Sequence, residues 1–166
     1  MRHYLASKST LKRLGIFVLS LFFMGKVMAQ QKDSTQVLEG KLKRTELESF
    51  NWFKEEYNQY KPAMSIVEEL VQFDKCSLLV VLGTWCSDSH EIVPQLFKVA
   101  DLAGWEKIEL IGVDRKKQCS TVDIKPLNIE YVPVIMVFNN KKLVGKIVET
   151  TEKSIEEDLL KLLSKP

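Results

Sequence analysis

The sequence has little of what defines fibrous, disordered or disulfide-rich proteins. Its 166 residues include only seven Gly, five Pro and three Cys, while 45% of them are hydrophobic. Collagen-like and low-complexity chains need far more Gly and Pro, and disordered chains contain far fewer apolar residues. No apolar run reaches the roughly 20 residues of a membrane-spanning helix. The composition therefore predicts one globular domain whose core is large enough to fold without disulfides.

Acidic residues are missing from the first 29 positions, which hold five Lys or Arg residues. An apolar run over Leu14–Gly25 follows the basic stretch, and Val27 and Ala29 occupy the −3 and −1 positions of a signal-peptidase site. This pattern predicts a signal peptide over residues 1–29 and a secreted, periplasmic protein. The alternatives are an uncleaved anchor or a buried helix, and the extracellular space stays open as a destination.

Removing residues 1–29 changes the charge, because 19 basic residues then face 22 acidic ones. The strong positive field of nucleic-acid-binding proteins is absent, so no nucleic-acid partner is predicted. No membrane span is predicted after cleavage of the signal. A C-x-x-C pair is missing and His90 is the only later His, which argues against zinc. We expect no metal or organic cofactor.

Hydrophobic periodicity divides the remaining chain into a polar segment and a folded domain. Residues 30–44 are polar and aperiodic and are predicted to form a disordered lead-in, whereas residues 45–166 form a domain with an N-terminal helical extension. Strands are predicted at 77–82, 108–113, 134–138 and 143–148, and Asn139-Asn140 is predicted to form the turn between the last two. With helices between them, this order predicts an α/β domain. Its mixed four-stranded sheet has helices on both faces and its first two strands parallel.

The segment Trp85-Cys86-Ser87-Asp88-Ser89 follows the first of these strands and opens a helix. Sheets of this class place their sites at the carboxyl ends of the strands. A thiol there meets unpaired backbone N–H groups and the positive end of the helix dipole, which favour the thiolate nucleophile. Cys86 is therefore the predicted nucleophile. The alternative is a small, buried, unreactive cysteine.

Four features together make the sequence resemble the thioredoxin superfamily. They are Trp85-Cys86 at the turn from strand to helix, Pro94 within that helix, Val132-Pro133 before a strand, and Gly145 in the last strand. The resemblance covers about residues 62–165. It implies a thioredoxin-like fold, thiol–disulfide exchange through Cys86, and a cis-proline at Pro133 that lies beside the active-site thiol. The WCSDS variant is similar to secreted thioredoxin-like proteins of Bacteroidetes-type bacteria.

The sequence departs from that family in its second active-site cysteine, which is replaced by Ser89. A Ser hydroxyl cannot form a disulfide, although it can hydrogen-bond the Cys86 thiolate. Val80 also stands where thioredoxins keep a buried Asp, and Val134 stands where Thr is common. The resemblance thus implies a monothiol site in which Cys86, Ser89 and Pro133 are catalytic. The groove or supporting residues that it implies are Trp85, Ser87, Asp88 and Val132.

Two further cysteines lie outside this motif. Cys119 follows the second strand at the same edge of the sheet and is a candidate resolving thiol, the alternative being an ordinary surface cysteine. Cys76 precedes the central strand and is predicted to be structural. His90 is predicted to face solvent in the first turn of the helix.

The predicted partners are protein or small-molecule disulfides and thiols. A monothiol site suits disulfide isomerisation, deglutathionylation or a reductase-type reaction, each through a mixed disulfide on Cys86. The alternative is a non-enzymatic module that uses the fold to bind peptides as a chaperone or adaptor.

Overall fold

The computed structural model describes residues 36–165. Within this range one five-stranded sheet has the strand order β1-β3-β2-β4-β5. The elements in chain order are β1 (Gly40–Leu42), α1 (Arg44–Leu47), α2 (Asn51–Gln59), α3 (Met64–Leu70), β2 (Cys76–Leu82), α4 (Ser87–Ala103), β3 (Ile108–Gly112), a 3₁₀ helix (Lys125–Leu127), β4 (Val134–Asn139), β5 (Lys142–Val148) and α5 (Ile155–Leu163).

Strand β2 lies at the centre of the sheet, as its continuous apolar run predicts. It pairs parallel with β3 and antiparallel with β4. The predicted mixed α/β sheet is therefore confirmed, including the parallel arrangement of its first two predicted strands. The carboxyl ends of β2 and β3 meet the start of β4 at one edge, where the loops that carry the predicted site residues converge.

The prediction of four strands is wrong by one, because Gly40–Leu42 pairs antiparallel with β3 at the edge of the sheet. This strand lies inside the segment 30–44 that was expected to be a disordered lead-in. The strand is held by backbone hydrogen bonds, and its three residues are too few to show an alternation of apolar and polar side chains. Gly40 has φ +98°, and a Cβ atom there would lie 2.6 Å from Thr121 Oγ1, so the first position of β1 requires glycine.

The two faces of the sheet are covered differently. Side chains from all five α helices pack with one face in a single apolar core. On the opposite face, a smaller cluster is covered by the connection between β3 and β4, whose one helical element in the described chain is the 3₁₀ turn at Lys125–Leu127. The expectation of helices on both faces therefore holds for the second face only through this 3₁₀ turn. Pro126 and the positive φ of Asn128 favour a short turn over an α helix here.

The predicted turn Asn139-Asn140 is wrong by one residue. The turn between β4 and β5 is Asn140-Lys141, with φ +48° and +67°, because β4 continues through Asn139. Ser154 caps α5 as its sequence predicts, accepting a hydrogen bond from Glu157 N at 3.3 Å. No helix among residues 36–165 is long and apolar enough to cross a membrane.

Candidate functional site

Cys86 lies at the junction between β2 and α4. It is the residue that caps α4, and its carbonyl accepts the helix's first hydrogen bond from His90 N at 3.0 Å. The half-buried Cys86 thiol donates to the carbonyl oxygen of Val132, with Sγ and O 3.2 Å apart. The sulfur thus lies between the positive end of a long helix and the loop before β4.

That loop holds two more predicted site residues, Val132 and Pro133. Both are buried, and the peptide bond between them is cis. The Pro133 carbonyl accepts a hydrogen bond from Glu149 N at 2.8 Å, which ties the loop to the end of β5. The structure therefore brings Cys86, Val132 and Pro133 together although they are far apart in sequence.

Ser89, at the position of the missing second cysteine, is fully buried. Its Oγ accepts a hydrogen bond from Gly83 N at 3.4 Å, so the hydroxyl supports the turn that leads to Cys86. Ser87 is exposed and Asp88 half-buried, and the Ser87 hydroxyl lies 3.5 Å from the Asp88 carboxylate. These two side chains lie on the first turn of α4 beside the sulfur.

Trp85 covers the turn on the other side. Its indole Nε1 donates to the carbonyl oxygen of Val113 at 2.9 Å, which fixes the ring across the ends of β2 and β3. A Cβ atom on Gly83 would lie 2.6 Å from the Trp85 ring, so glycine is required for this close approach. The Arg115 guanidinium lies over the outer side of the ring, 5.4 Å from its centroid.

Cys119 is half-buried and lies beside β1. Burial raises the pKa of its thiol, but hydrogen bonds from Thr121 and from the backbone of Val122 and Gly40 outweigh burial and hold the pKa below its ordinary value. Cys86, by contrast, is bonded to the loop before β4. Both half-buried side chains pack against the smaller apolar cluster, on the face that the connection between β3 and β4 covers.

Thr84 is a site residue that the sequence analysis missed. It is fully buried, and its hydroxyl donates to the Gln36 carbonyl at 2.6 Å while accepting from Leu38 N at 3.1 Å. These bonds fasten the segment before β1 to the residue that precedes Trp85-Cys86. A Thr between Gly and Trp gives no sequence signal for a partner so distant in the chain.

His90 was expected to face solvent, and this is wrong. Its Nε2 lies 2.8 Å from the Thr84 carbonyl oxygen, and its ring stacks on Trp52 with centroids 4.3 Å apart. Because a carbonyl only accepts, this contact places a proton on Nε2. The helical extension thus reaches the turn that carries Cys86 through Trp52.

Cys76 begins the central strand β2, at the opposite end of this strand from Cys86, and is 3% exposed. Desolvation raises the pKa of its thiol to about 11. A thiol in this position is neutral and shielded at physiological pH, which fits the predicted structural role.

The thioredoxin family model matches residues 62–163, from the segment before α3 to the end of α5. No curated protein sequence matches the chain significantly. Two solved structures are similar. A protein of unknown function from Pseudomonas aeruginosa has a TM-score of 0.52 and 19% identity, covering 74% of this chain and 86% of its own. An HIV epitope scaffold has a TM-score of 0.49 and 18% identity, covering 68% and 79%.

The first of these likenesses shows the fold alone. The family match extends over well more than half of the sequence and includes the turn with Cys86 and the loop with Pro133. The chain therefore belongs to the thioredoxin family.

Proposed function

We propose that this protein is a secreted monothiol member of the family that catalyses thiol–disulfide exchange through Cys86. The observation that carries the proposal is the position of the sulfur: half-buried at the start of α4 and 3.2 Å from the Val132 carbonyl oxygen. A disulfide that reaches the sulfur there would meet it between the start of α4 and the loop before β4, and the thiolate of Cys86 is the attacking species.

The reaction begins when the Cys86 thiol loses its proton and its thiolate attacks one sulfur of a substrate disulfide. A Cys86–substrate disulfide forms, the substrate's own S–S bond breaks, and the second substrate sulfur leaves as a thiolate that takes up a proton. Attack by a different substrate thiol on the mixed disulfide then releases Cys86 as a thiolate and leaves a rearranged substrate disulfide. No net electron transfer occurs, so isomerisation needs no external reductant.

The thiol that resolves the mixed disulfide is proposed to come from the substrate or from a small thiol. Ser89 cannot resolve it, and Cys119 is anchored beside β1 while Cys86 is anchored beside β4. A disulfide requires Cα atoms within ~7 Å, and Cys86 and Cys119 are both free thiols in this structure. A resolving role for Cys119 remains a prediction that the experiment below tests directly.

Secretion is the part of the proposal that lies outside the described residues, since the predicted signal occupies residues 1–29. Oxidising compartments such as the periplasm supply disulfide substrates, whereas the cytosol keeps thiols reduced. Fractionation of cells that produce the full chain, followed by N-terminal sequencing, tests this point. A mature N-terminus at Gln30 in the periplasmic fraction is expected, and an intact Met1 in the membrane would contradict it.

The exchange reaction is tested with residues 30–166 and a substrate protein whose disulfides are scrambled, and the activity that the substrate regains is measured. The wild type is expected to accelerate recovery, Cys86→Ser to reduce the rate to that of the blank, and Cys119→Ser to act like the wild type. Peptide mass spectrometry of protein alkylated briefly near neutral pH should show Cys86 modified before the buried Cys76.

The buried hydroxyl of Ser89, bonded to Gly83 N, favours a second candidate: a non-enzymatic peptide-binding module. If Cys86 is alkylated no faster than Cys76 and Cys86→Ser retains all biological activity, the exchange mechanism is wrong and this candidate replaces it. A loss of recovery in Cys119→Ser alone would instead assign that residue as the resolving thiol.

A further inference from the structure

The loop between β3 and the cluster around Ile124 carries three consecutive basic residues, Arg115, Lys116 and Lys117. Asp114 organises it: its carboxylate accepts from the backbone N–H groups of Lys116 and Gln118, both at 2.8 Å. Asp114 N also donates to the Gln118 carbonyl and Lys117 N to the Asp114 carbonyl, each at 2.9 Å. These four bonds hold Lys117 at φ +58° and give the loop a fixed shape.

The fixed loop holds two of its cations on aromatic rings. Arg115 lies over Trp85 with its Cζ 5.4 Å from the ring centroid, and Lys117 Nζ lies 6.0 Å from the centroid of Tyr131. Both distances are within the range of cation–π contacts. The exposed Tyr131 ring and the Trp85 ring thus each lie against a positively charged side chain.

The two rings belong to residues that directly precede Cys86 and its hydrogen-bond partner Val132. Trp85 directly precedes Cys86, and Tyr131 directly precedes Val132, whose carbonyl oxygen lies 3.2 Å from Cys86 Sγ. One held cation therefore belongs to each of the two segments that meet at the sulfur: Arg115 to the turn before α4 through Trp85, and Lys117 to the loop before β4 through Tyr131. A charge held in place interacts with a ligand at no further cost in side-chain entropy.

The acidic residues of the same rim are Asp88, Asp114 and Glu130. The Asp114 carboxylate faces two backbone N–H groups within its own loop. Asp88, on the first turn of α4, is the acidic group nearest to Cys86 in sequence and opposes the two cations. Its neutralisation should therefore strengthen whatever selectivity they provide.

We propose that Arg115 and Lys117 select anionic substrates, so that Cys86 reacts preferentially with disulfides that carry carboxylates next to the sulfur. This inference rests on the proposed function and names the substrate class of the same site. The Cys86 thiolate attacks a sulfur of the anionic disulfide, the Cys86–S bond forms as the S–S bond breaks, and the other half leaves as a thiolate. Glutathione disulfide is a probe of this class, and the dicationic cystamine is its opposite.

The selectivity is measured as the ratio of the rates at which Cys86 forms mixed disulfides with glutathione disulfide and with cystamine, followed by mass spectrometry. Each rate is divided by the rate for the same protein in denaturant, which removes the intrinsic reactivity of each probe. Coulomb interaction at ~6 Å in water is worth about threefold per charge, so the wild-type ratio should be several-fold above one at low salt. In ~1 M salt the ratio should fall towards one.

Variants assign the effect to the two cations. The double variant Arg115→Gln/Lys117→Gln should lower the ratio several-fold, towards one, because it removes both the attraction for the anionic probe and the repulsion of the dicationic one. Asp88→Asn should raise it. Lys107→Gln, which removes a charge just before β3 at the opposite edge of the sheet, is the matched control and should leave the ratio unchanged. Iodoacetate and iodoacetamide, which differ by one charge, should repeat the pattern.

The outcomes separate this inference from the function beneath it. If Cys86 forms adducts with both disulfides and the ratio is the same in the wild type and the double variant, the selectivity proposal is wrong and exchange chemistry stands. If Cys86 forms no adduct with either probe while Cys119 does, the proposed function itself is overturned.

Discussion

The two ends of β2 carry cysteines in opposite surroundings. Cys76 begins the strand, is 3% exposed and packs in the main apolar core, where desolvation raises its pKa to about 11. Cys86 follows the strand, is half-buried and caps a 17-residue helix. One cysteine side chain thus lies among apolar atoms at the start of the strand, and the other lies half-buried after it, bonded to a backbone carbonyl oxygen. The comparison teaches that position along the sheet, rather than the residue itself, decides where thiol chemistry is available.

The largest effect is expected from Ser89→Cys, which adds a second thiol on the same helical turn as Cys86. A thiol within the same turn attacks the Cys86 mixed disulfide intramolecularly, so release of a bound glutathione should accelerate by at least about 100-fold. The lifetime of the preformed adduct, followed by mass spectrometry, measures this. Ser87→Cys adds a thiol to the same turn at an exposed position and is the control. Equal lifetimes in the two variants would show that position 89 is too enclosed to act.

The unreactive end is tested through the alkaline limb of stability. The thiol of Cys76 has an ordinary pKa of 9.0 when unfolded and about 11 when folded. The unfolded chain therefore releases this proton first. The contribution of the buried thiol is complete below about pH 9 and is lost as the pH rises towards 11, by up to about 2 kcal/mol.

Urea unfolding of the wild type and of Cys76→Ala between pH 8 and pH 11 measures this loss by difference. Cys76→Ala should be less stable at pH 8, and its free energy of unfolding should fall less steeply as the pH rises. The tyrosines, whose titration also contributes, are the same in both proteins. Parallel curves for the two proteins would show that the thiol at this end is not desolvated in solution.

The smallest effect concerns the support of the reactive end. Thr84→Val removes the hydroxyl that bonds Gln36 O and Leu38 N and leaves the N–H of the half-buried Leu38 without its partner. A loss of about 1–3 kcal/mol in the free energy of unfolding is expected. Thr84→Ser keeps both hydrogen bonds and should lose clearly less. Equal stability of Thr84→Val and the wild type would mean that the segment before β1 is not held by this residue.

The sequence predicted the elements whose side chains follow a strong local pattern. The apolar run before Cys86 identified the central strand, and the spacing of Trp85, Pro94 and Pro133 indicated the family. β1 was missed because it is held by backbone hydrogen bonds and by the absence of a Cβ at Gly40, neither of which has a period. The local sequence pattern thus identifies the four strands β2 to β5 but not the edge strand β1.

The site was predictable to the extent that its residues lie in one motif. Cys86 and Ser89 are neighbours on one turn, so their proximity follows from helix geometry. The contacts of His90 with Trp52, and of Thr84 with Gln36, join segments whose relative positions depend on the packing of α2 and β1. In the sequence, Arg115 and Lys117 belong to a short basic stretch that indicates only a solvent-exposed loop. Only the folded loop places them over the rings of Trp85 and Tyr131.

The attachment of Gln36 to Thr84 has a practical consequence for work with this protein. Thr84 is two residues from Cys86, so any peptide fused ahead of Gln36 is tethered close to the reactive turn. Histidine-rich purification tags carry metal-binding and basic groups that would alter the reactivity and charge selectivity measured there. Kinetic comparisons should therefore use protein from which an N-terminal tag has been cleaved, with tagged protein run alongside to measure the disturbance.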